Sequence, residues 1–195
     1  MGTLSGPLSH DSPAQRAKAF TYDKVPLPSP STHIRLLSLF PSANLLATKG
    51  KSTTGAEDEI LSAPLHCSIS TYPLDSAAQF NALSYTWGPP GDGSHVVKIM
   101  STDGELLGNL SVTPSLDGAL RHLRALAGGD TTTLWIDQIC INQSDANEKT
   151  EQVKVMARIY RSARQVRVWL GPAADGSDEL MDVVCLHEVS GSVRG

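Results

Sequence analysis

Two carboxylates, Asp137 and Glu148, bracket the stretch of this chain richest in groups able to do chemistry, with Gln138, Cys140, Asn142 and Gln143 between them. Asp137 ends an apolar run, TTLWI at 132–136. Its β-branched and aromatic residues, bounded by a polar turn, read as a buried strand with a polar tip. Glu148 stands three residues after Asp145. That is the spacing of a capping box opening an amphipathic helix, here with an apolar stripe at Val153, Met156, Ile159, Tyr160 and Ala163. In an open α/β sheet, ligands bind beyond the carboxyl ends of the strands, where helix N-termini direct free N–H groups. Asp137 is expected at such an end, and Glu148 toward the same crevice. The structural alternative is that Glu148 only completes the capping box and Asp137 only bonds nearby amides. Cys140 has no histidine tied to it by any motif, so a thiol nucleophile is the weaker reading. Tyr85 and Trp87 are expected as core or crevice wall. Were the crevice to bind a nucleotide, Trp87, beside the turn at Gly88, would stack on its base.

The elements that must position these groups alternate in kind. The helix over 145–163 leads to a second strand, QVRVWL at 165–170, ended by Gly171 and Pro172. Upstream, Thr113 caps and Pro114 begins a helix with Leu116, Leu120, Leu123 and Ala127 on one face, closed by Gly128 and Gly129. A last helix is expected over 177–187. Such alternation predicts βαβ units and a parallel sheet with right-handed crossovers. The first half adds strand patterns at 33–40, 65–71, 81–87 and 96–100. These are expected to pair antiparallel, as a hairpin or meander around the wide turn GPPGDG at 88–93. That turn is not a phosphate loop, since it lacks a Gly-Lys-Ser/Thr ending and no helix follows.

A length of 195 residues suits one domain. Residues 1–31, rich in Pro, Ser and Gly, read as a disordered leader, 32–175 as the domain, and 176–195 as a C-terminal helix and tail. The polar interval 47–59 reads as a long loop. A net charge of −4 gives no electrostatic footprint for nucleic acid or an anionic membrane. Apolar runs are too short to span a bilayer, and the N-terminus has no signal-peptide block. Three scattered cysteines make neither a disulfide framework nor a metal set. Cys185 and His187 are two ligands at most, so no metal is expected. Arg158, Arg161 and Arg164, at near-helical spacing and followed by Arg167, read as a solvated face rather than an anion site. A reducing, cytoplasmic setting fits best.

Three blocks in order carry a family resemblance: NALSYTWG at 81–88, LWIDQICINQ at 134–143, and the helix containing Glu148, Gln152, Val153, Met156, Ile159 and Tyr160 that leads to VWLG. Together they resemble the HET (heterokaryon incompatibility) domain of filamentous fungi, over about residues 34–172. Three departures stand out, one being that the chain stops soon after VWLG where family proteins usually continue, as expected of a short or truncated member. Lys149 replaces the arginine common after the glutamate, and Gln138 replaces a small or apolar residue after the LWID aspartate. The resemblance implies nonself recognition in which activation by partner domains triggers cell death. It also implies a distant likeness to TIR domains, and so a flavodoxin-like parallel core with added antiparallel strands. Some TIR domains cleave NAD with a glutamate. On that footing Glu148 and Asp137 are the candidate catalytic residues, Tyr85, Trp87, Gly88, Cys140, Asn142 and Gln143 the candidate ligand contacts, and NAD a substrate rather than a resident cofactor. The other implied readings are a signalling module that works through protein partners or as a homo-oligomer, without turnover, and an inactive, truncated member of the family.

Overall fold

The computed structural model describes residues 18–42 and 61–171, together with the backbone of 184–186. Among the described residues eight strands form one sheet: β1 (His33–Leu39), β2 (Leu65–Pro73), β3 (Asn81–Tyr85), β4 (Val96–Met100), β5 (Leu106–Ser111), β6 (Thr132–Trp135), β7 (Gln165–Trp169) and β8 (Val184–Leu186). Their order across the sheet is β5-β4-β2-β1-β6-β3-β7-β8. The α-helices that matter for the site, among the described residues, are α1 (Pro114–Leu126), the single turn α2 (Asp137–Cys140) and α3 (Ala146–Ser162).

The α/β class stands, but the sheet is mixed. β3 runs parallel to both β6 and β7, and β2 parallel to β4. The pairs β1–β2, β1–β6, β4–β5 and β7–β8 are antiparallel. The expected meander of β2, β3 and β4 does not form, because β3 leaves its sequence neighbours and enters between β6 and β7. Its consecutive Ala82 and Leu83 are both buried, so the strand has an apolar side chain on each face and belongs inside a sheet. β2, by contrast, alternates buried Leu65, Cys67 and Ile69 with half-buried residues, as its period-two pattern requires.

Helix chemistry follows the sequence closely. The Thr113 hydroxyl accepts from the Leu116 N–H, and Pro114 opens α1, which sinks Leu116, Ala119, Leu120 and Leu123 into the core. The Asp145 carboxylate accepts from the N–H groups of Asn147 and Glu148 and so caps α3. The buried line of α3 is more polar than expected. Glu148, Gln152 and Ile159 are buried, while Val153 is 52% exposed. The Gln152 side-chain amide donates to the carbonyls of Pro30 and His33, which explains a polar residue there.

Two boundaries need correction. The helix expected over 177–187 is replaced at 184–186 by β8, an edge strand paired with Val166, Arg167 and Val168, and the rest of that range lies outside the described residues. The leader is built into the fold from Lys18 onward. Phe20 is buried, the Phe20 N–H donates to Asn109 O, and Ala19 bridges Asn109 beside β5. The chain passes so near that a Cβ on Gly108 would lie 2.6 Å from the Phe20 nitrogen. Residues 1–17 and the expected loop at 47–59 lie outside the described residues.

Candidate functional site

The parallel trio β6-β3-β7 brings two sequence blocks to one corner. β6 carries the fully buried Trp135, whose ring meets Tyr160 of α3 edge-on with centroids 5.5 Å apart. With the strand fixed by that side chain, Asp137 emerges at its C-terminal end as the first residue of α2. The neighbouring β3 ends at Tyr85, and two residues on, Trp87 crosses to the same place. Its indole N–H lies 3.0 Å and 3.2 Å from the two Asp137 carboxylate oxygens. Gly88 follows at φ +70°, a turn that residues with a Cβ rarely adopt, and so fixes where the indole comes off the strand.

The second carboxylate contact is the Gln138 N–H, 2.7 Å from Asp137 Oδ1. The Gln138 side-chain carbonyl accepts from the Tyr85 hydroxyl at 3.0 Å and lies 3.4 Å from the Thr113 hydroxyl that caps α1. Gln143 donates from Nε2 to the backbone carbonyls of Asp137 and Ile141 at 2.9 Å and 3.3 Å, tying the end of the loop to its start. Burial raises the Asp137 carboxyl above the ordinary aspartate range, against the lowering pull of the Trp87 and Gln138 N–H groups. Burial likewise raises the Tyr85 phenol, helped by the Asp137 charge. Asp137 forms no ion pair among the described residues.

Glu148 has different surroundings. It is 5% exposed, and Arg35 of β1, itself buried, grips both its oxygens at 2.6 Å and 3.0 Å. Its Oε1 also accepts the Asn142 N–H at 2.6 Å. Arg35 in turn donates to the carbonyls of Val25 and Cys140, and its guanidinium carbon lies 4.9 Å from the centre of the Tyr22 ring. A ligand reaching Glu148 would have to displace Arg35. The reciprocal half of the capping box is absent, since the Asp145 N–H bonds Asn142 O instead.

The structure therefore gathers Asp137, Tyr85, Trp87, Gly88 and Gln143 at one corner and sets Glu148 inside. Cys140, expected in the crevice wall, is fully buried with its sulfur accepting the Ile136 N–H, and burial pushes its thiol up to about 12. It has neither the access nor the ionisation of a nucleophile. Asn142 shapes the loop, its Oδ1 accepting from Ser144 N–H. Arg35 is the residue sequence reasoning missed. The available signal was a lone charge inside HIRLLSL, a strand too apolar to leave a guanidinium without a buried partner. No helix among the described residues is long and apolar enough to cross a membrane.

Residues 80–191 match the family model described as heterokaryon incompatibility protein (HET). The chain is also 42% identical over 170 residues to heterokaryon incompatibility protein 6, OR allele, of Neurospora crassa, an alignment covering 85% of this chain. It spans only 22% of that relative's length. No solved structure matches the chain. The family match begins just before β3 and takes in both halves of the Trp87–Asp137 corner, α3 and β7. On these grounds the chain belongs to the heterokaryon incompatibility (HET) family.

Proposed function

We propose that the chain acts in heterokaryon incompatibility, the role named for its Neurospora relative, as a module of nonself recognition that triggers cell death by cleaving NAD at the nicotinamide–ribose bond. The chemical part rests on one observation: a desolvated carboxylate, Asp137, at the C-terminal end of a parallel strand, held by neutral N–H donors and free of any ion pair among the described residues. Such a carboxylate can stabilise the oxocarbenium-like ribose centre while nicotinamide leaves with the electrons of the broken bond. Water then adds at the anomeric carbon and gives up a proton, yielding ADP-ribose. Trp87, 36% exposed, offers a stacking face for a base. Glu148 serves this reading from within, since its bonds to Arg35 and to the Asn142 N–H hold the loop that begins with Asp137. A distant kinship with TIR and flavodoxin-like folds belongs to the same proposal, supported by the parallel trio with its polar groups at the strands' C-terminal ends.

The test is nicotinamide release from NAD by the purified chain, alone and under crowding or induced oligomerisation, for wild type and Asp137→Asn. The expected result is turnover that falls at least about a hundredfold in the variant while the melting temperature holds, the scale of removing one electrostatic stabiliser. Intact NAD in every wild-type condition, alongside cell killing on expression in a fungal host, overturns the enzymatic reading. Glu148→Gln is a poor substitute, because it unpairs a buried arginine and loses activity through folding as easily as through chemistry.

A second reading has its own observation. Trp87 and Leu170, the latter 70% exposed, follow the C-terminal ends of the adjacent strands β3 and β7, and Val153 projects from α3. Exposed apolar groups of this kind suit contact with protein partners or a second copy in the cytoplasm. In that case killing survives Asp137→Asn and is lost on Val153→Asp.

A further inference from the structure

The opposite ends of the parallel strands, away from the Asp137 corner, carry a concave region. A cleft of about 270 Å³ is lined there by Asn81 at the start of β3, by Thr131, Thr132 and Thr133 at the start of β6, and by Arg164 and Arg167 around the start of β7. Beside it lies a cleft of about 280 Å³, lined by Leu123, Leu126 and Ala127 of α1 and its C-terminal cap. Thr132 and Arg167 line both, so the two adjoin. Each is close to the lower end of the about 300–1,000 Å³ usual for small-molecule sites.

Among the described residues, charge and hydrogen bonding are both uncompensated in the polar half. Among the described residues no acidic residue lines either cleft, and neither Arg164 nor Arg167 forms an ion pair. The Arg167 Nε is buried and has no hydrogen-bond partner among the described residues. A buried guanidinium N–H without an acceptor is costly, and a fork of such donors matches the oxygens of a phosphate. At the C-terminus of α1 the carbonyls of Leu123 and Ala125 accept the N–H groups of Ala127 and Gly128. In the other half, Leu126 is 55% exposed and forms an apolar wall with Leu123 and Ala127.

We propose that this double cleft binds a phosphate monoester with an apolar tail. The phosphate sits against Arg164, Arg167 and the threonine hydroxyls, and the tail lies on Leu123, Leu126 and Ala127. A rise of about 3.3 Å per residue puts the start of β6 on the order of 15 Å from Asp137, so this site stands independently of NAD cleavage.

The test is calorimetric titration of the full chain with octyl phosphate, inorganic phosphate and neutral octyl glucoside, each below its micellar concentration. Octyl phosphate is expected to bind saturably and at least about tenfold more tightly than inorganic phosphate, with no saturable heat from the glucoside. Arg167→Gln is expected to weaken octyl phosphate at least about tenfold, and Leu126→Ser to weaken it while leaving inorganic phosphate unchanged. Arg164 is exposed, so Arg164→Gln leaves the fold intact and decides the matter should Arg167→Gln fail to fold. Absence of saturable octyl phosphate binding, or affinity unchanged in the arginine variants, overturns the proposal. Equal affinity for octyl and inorganic phosphate overturns the apolar half of the site.

Discussion

Asp137 and Glu148 stand at the two ends of one short loop, and the fold treats them oppositely. Glu148 is enclosed, gripped by a guanidinium from a strand over a hundred positions earlier and by a backbone N–H. Asp137 is half-buried, bonded only by neutral donors, with an exposed indole as its lid. A buried carboxylate is tolerable when a cation and hydrogen bonds compensate it, and it then becomes part of the architecture. One that is desolvated without a cation keeps unspent electrostatic potential, the condition found where chemistry is done. Proximity in sequence says nothing about which condition a carboxylate will meet. The strand opposite decides it.

The contrast is broken most severely by Glu148→Gln. It leaves the Arg35 charge buried without its partner, and the expected loss is about 3–5 kcal/mol of folding stability, read by chemical denaturation. Pairing it with Arg35→Met should recover part of that loss. The recovery stays incomplete because the carbonyls of Val25 and Cys140 also lose the Arg35 donor. Additive losses in the double variant would show that the two side chains do not act as a pair.

Trp87→Phe acts on the other corner and is expected to cost about 1 kcal/mol, one hydrogen bond partly replaced by water. Its sharper signature is in pH. The Trp87 N–H holds the Asp137 carboxyl down, so removing it raises a value that burial has already raised. A carboxyl raised on folding contributes stability that is present below its unfolded value and lost as pH rises through the folded one. The variant should therefore carry that loss to higher pH, a shift read from melting temperatures between pH 3 and 7.

Asp137→Asn has the smallest expected effect on stability, about half a kcal/mol, and the direction is informative. The amide keeps an acceptor for both N–H donors and removes the charge that burial disfavours. Relative to wild type, the variant should gain stability as pH rises from the ordinary aspartate range. A flat difference across pH would mean that Asp137 is as well solvated as any surface carboxylate.

Much of this arrangement is legible in the sequence where local chemistry decides it. The Thr113-Pro114 opening of α1, the Asp145 cap of α3 and the alternation of β2 each follow from residues within a few positions of one another. Trp87 is legible as a core or crevice-wall residue, but its bond to Asp137 is not, because its strand is expected in a meander with β4 rather than beside β6. What was not legible depends on partners far along the chain. The insertion of β3 between β6 and β7 is chosen by which faces must be covered, not by its own pattern. Nor does the spacing of Glu148 from its helix start disclose Arg35. The Gln152 amide on the inner face of α3 makes sense only once the carbonyls of Pro30 and His33 arrive to meet it. The final segment misled for the reverse reason: its helical spacing at 177–187 yields at 184–186 to the unpaired edge of β7, which a strand can satisfy.

At the sheet's other margin, the short stretch around Ala19 and Phe20 lies along β5, exchanging backbone hydrogen bonds with Asn109. An uncovered strand edge is a template on which further strands add, from the same chain or another. By occupying that template with a few residues of its own, and by placing a glycine where nothing larger fits beneath them, the chain closes one route to uncontrolled stacking into fibres. Growth along the sheet at that margin would first require this covering segment to be peeled away.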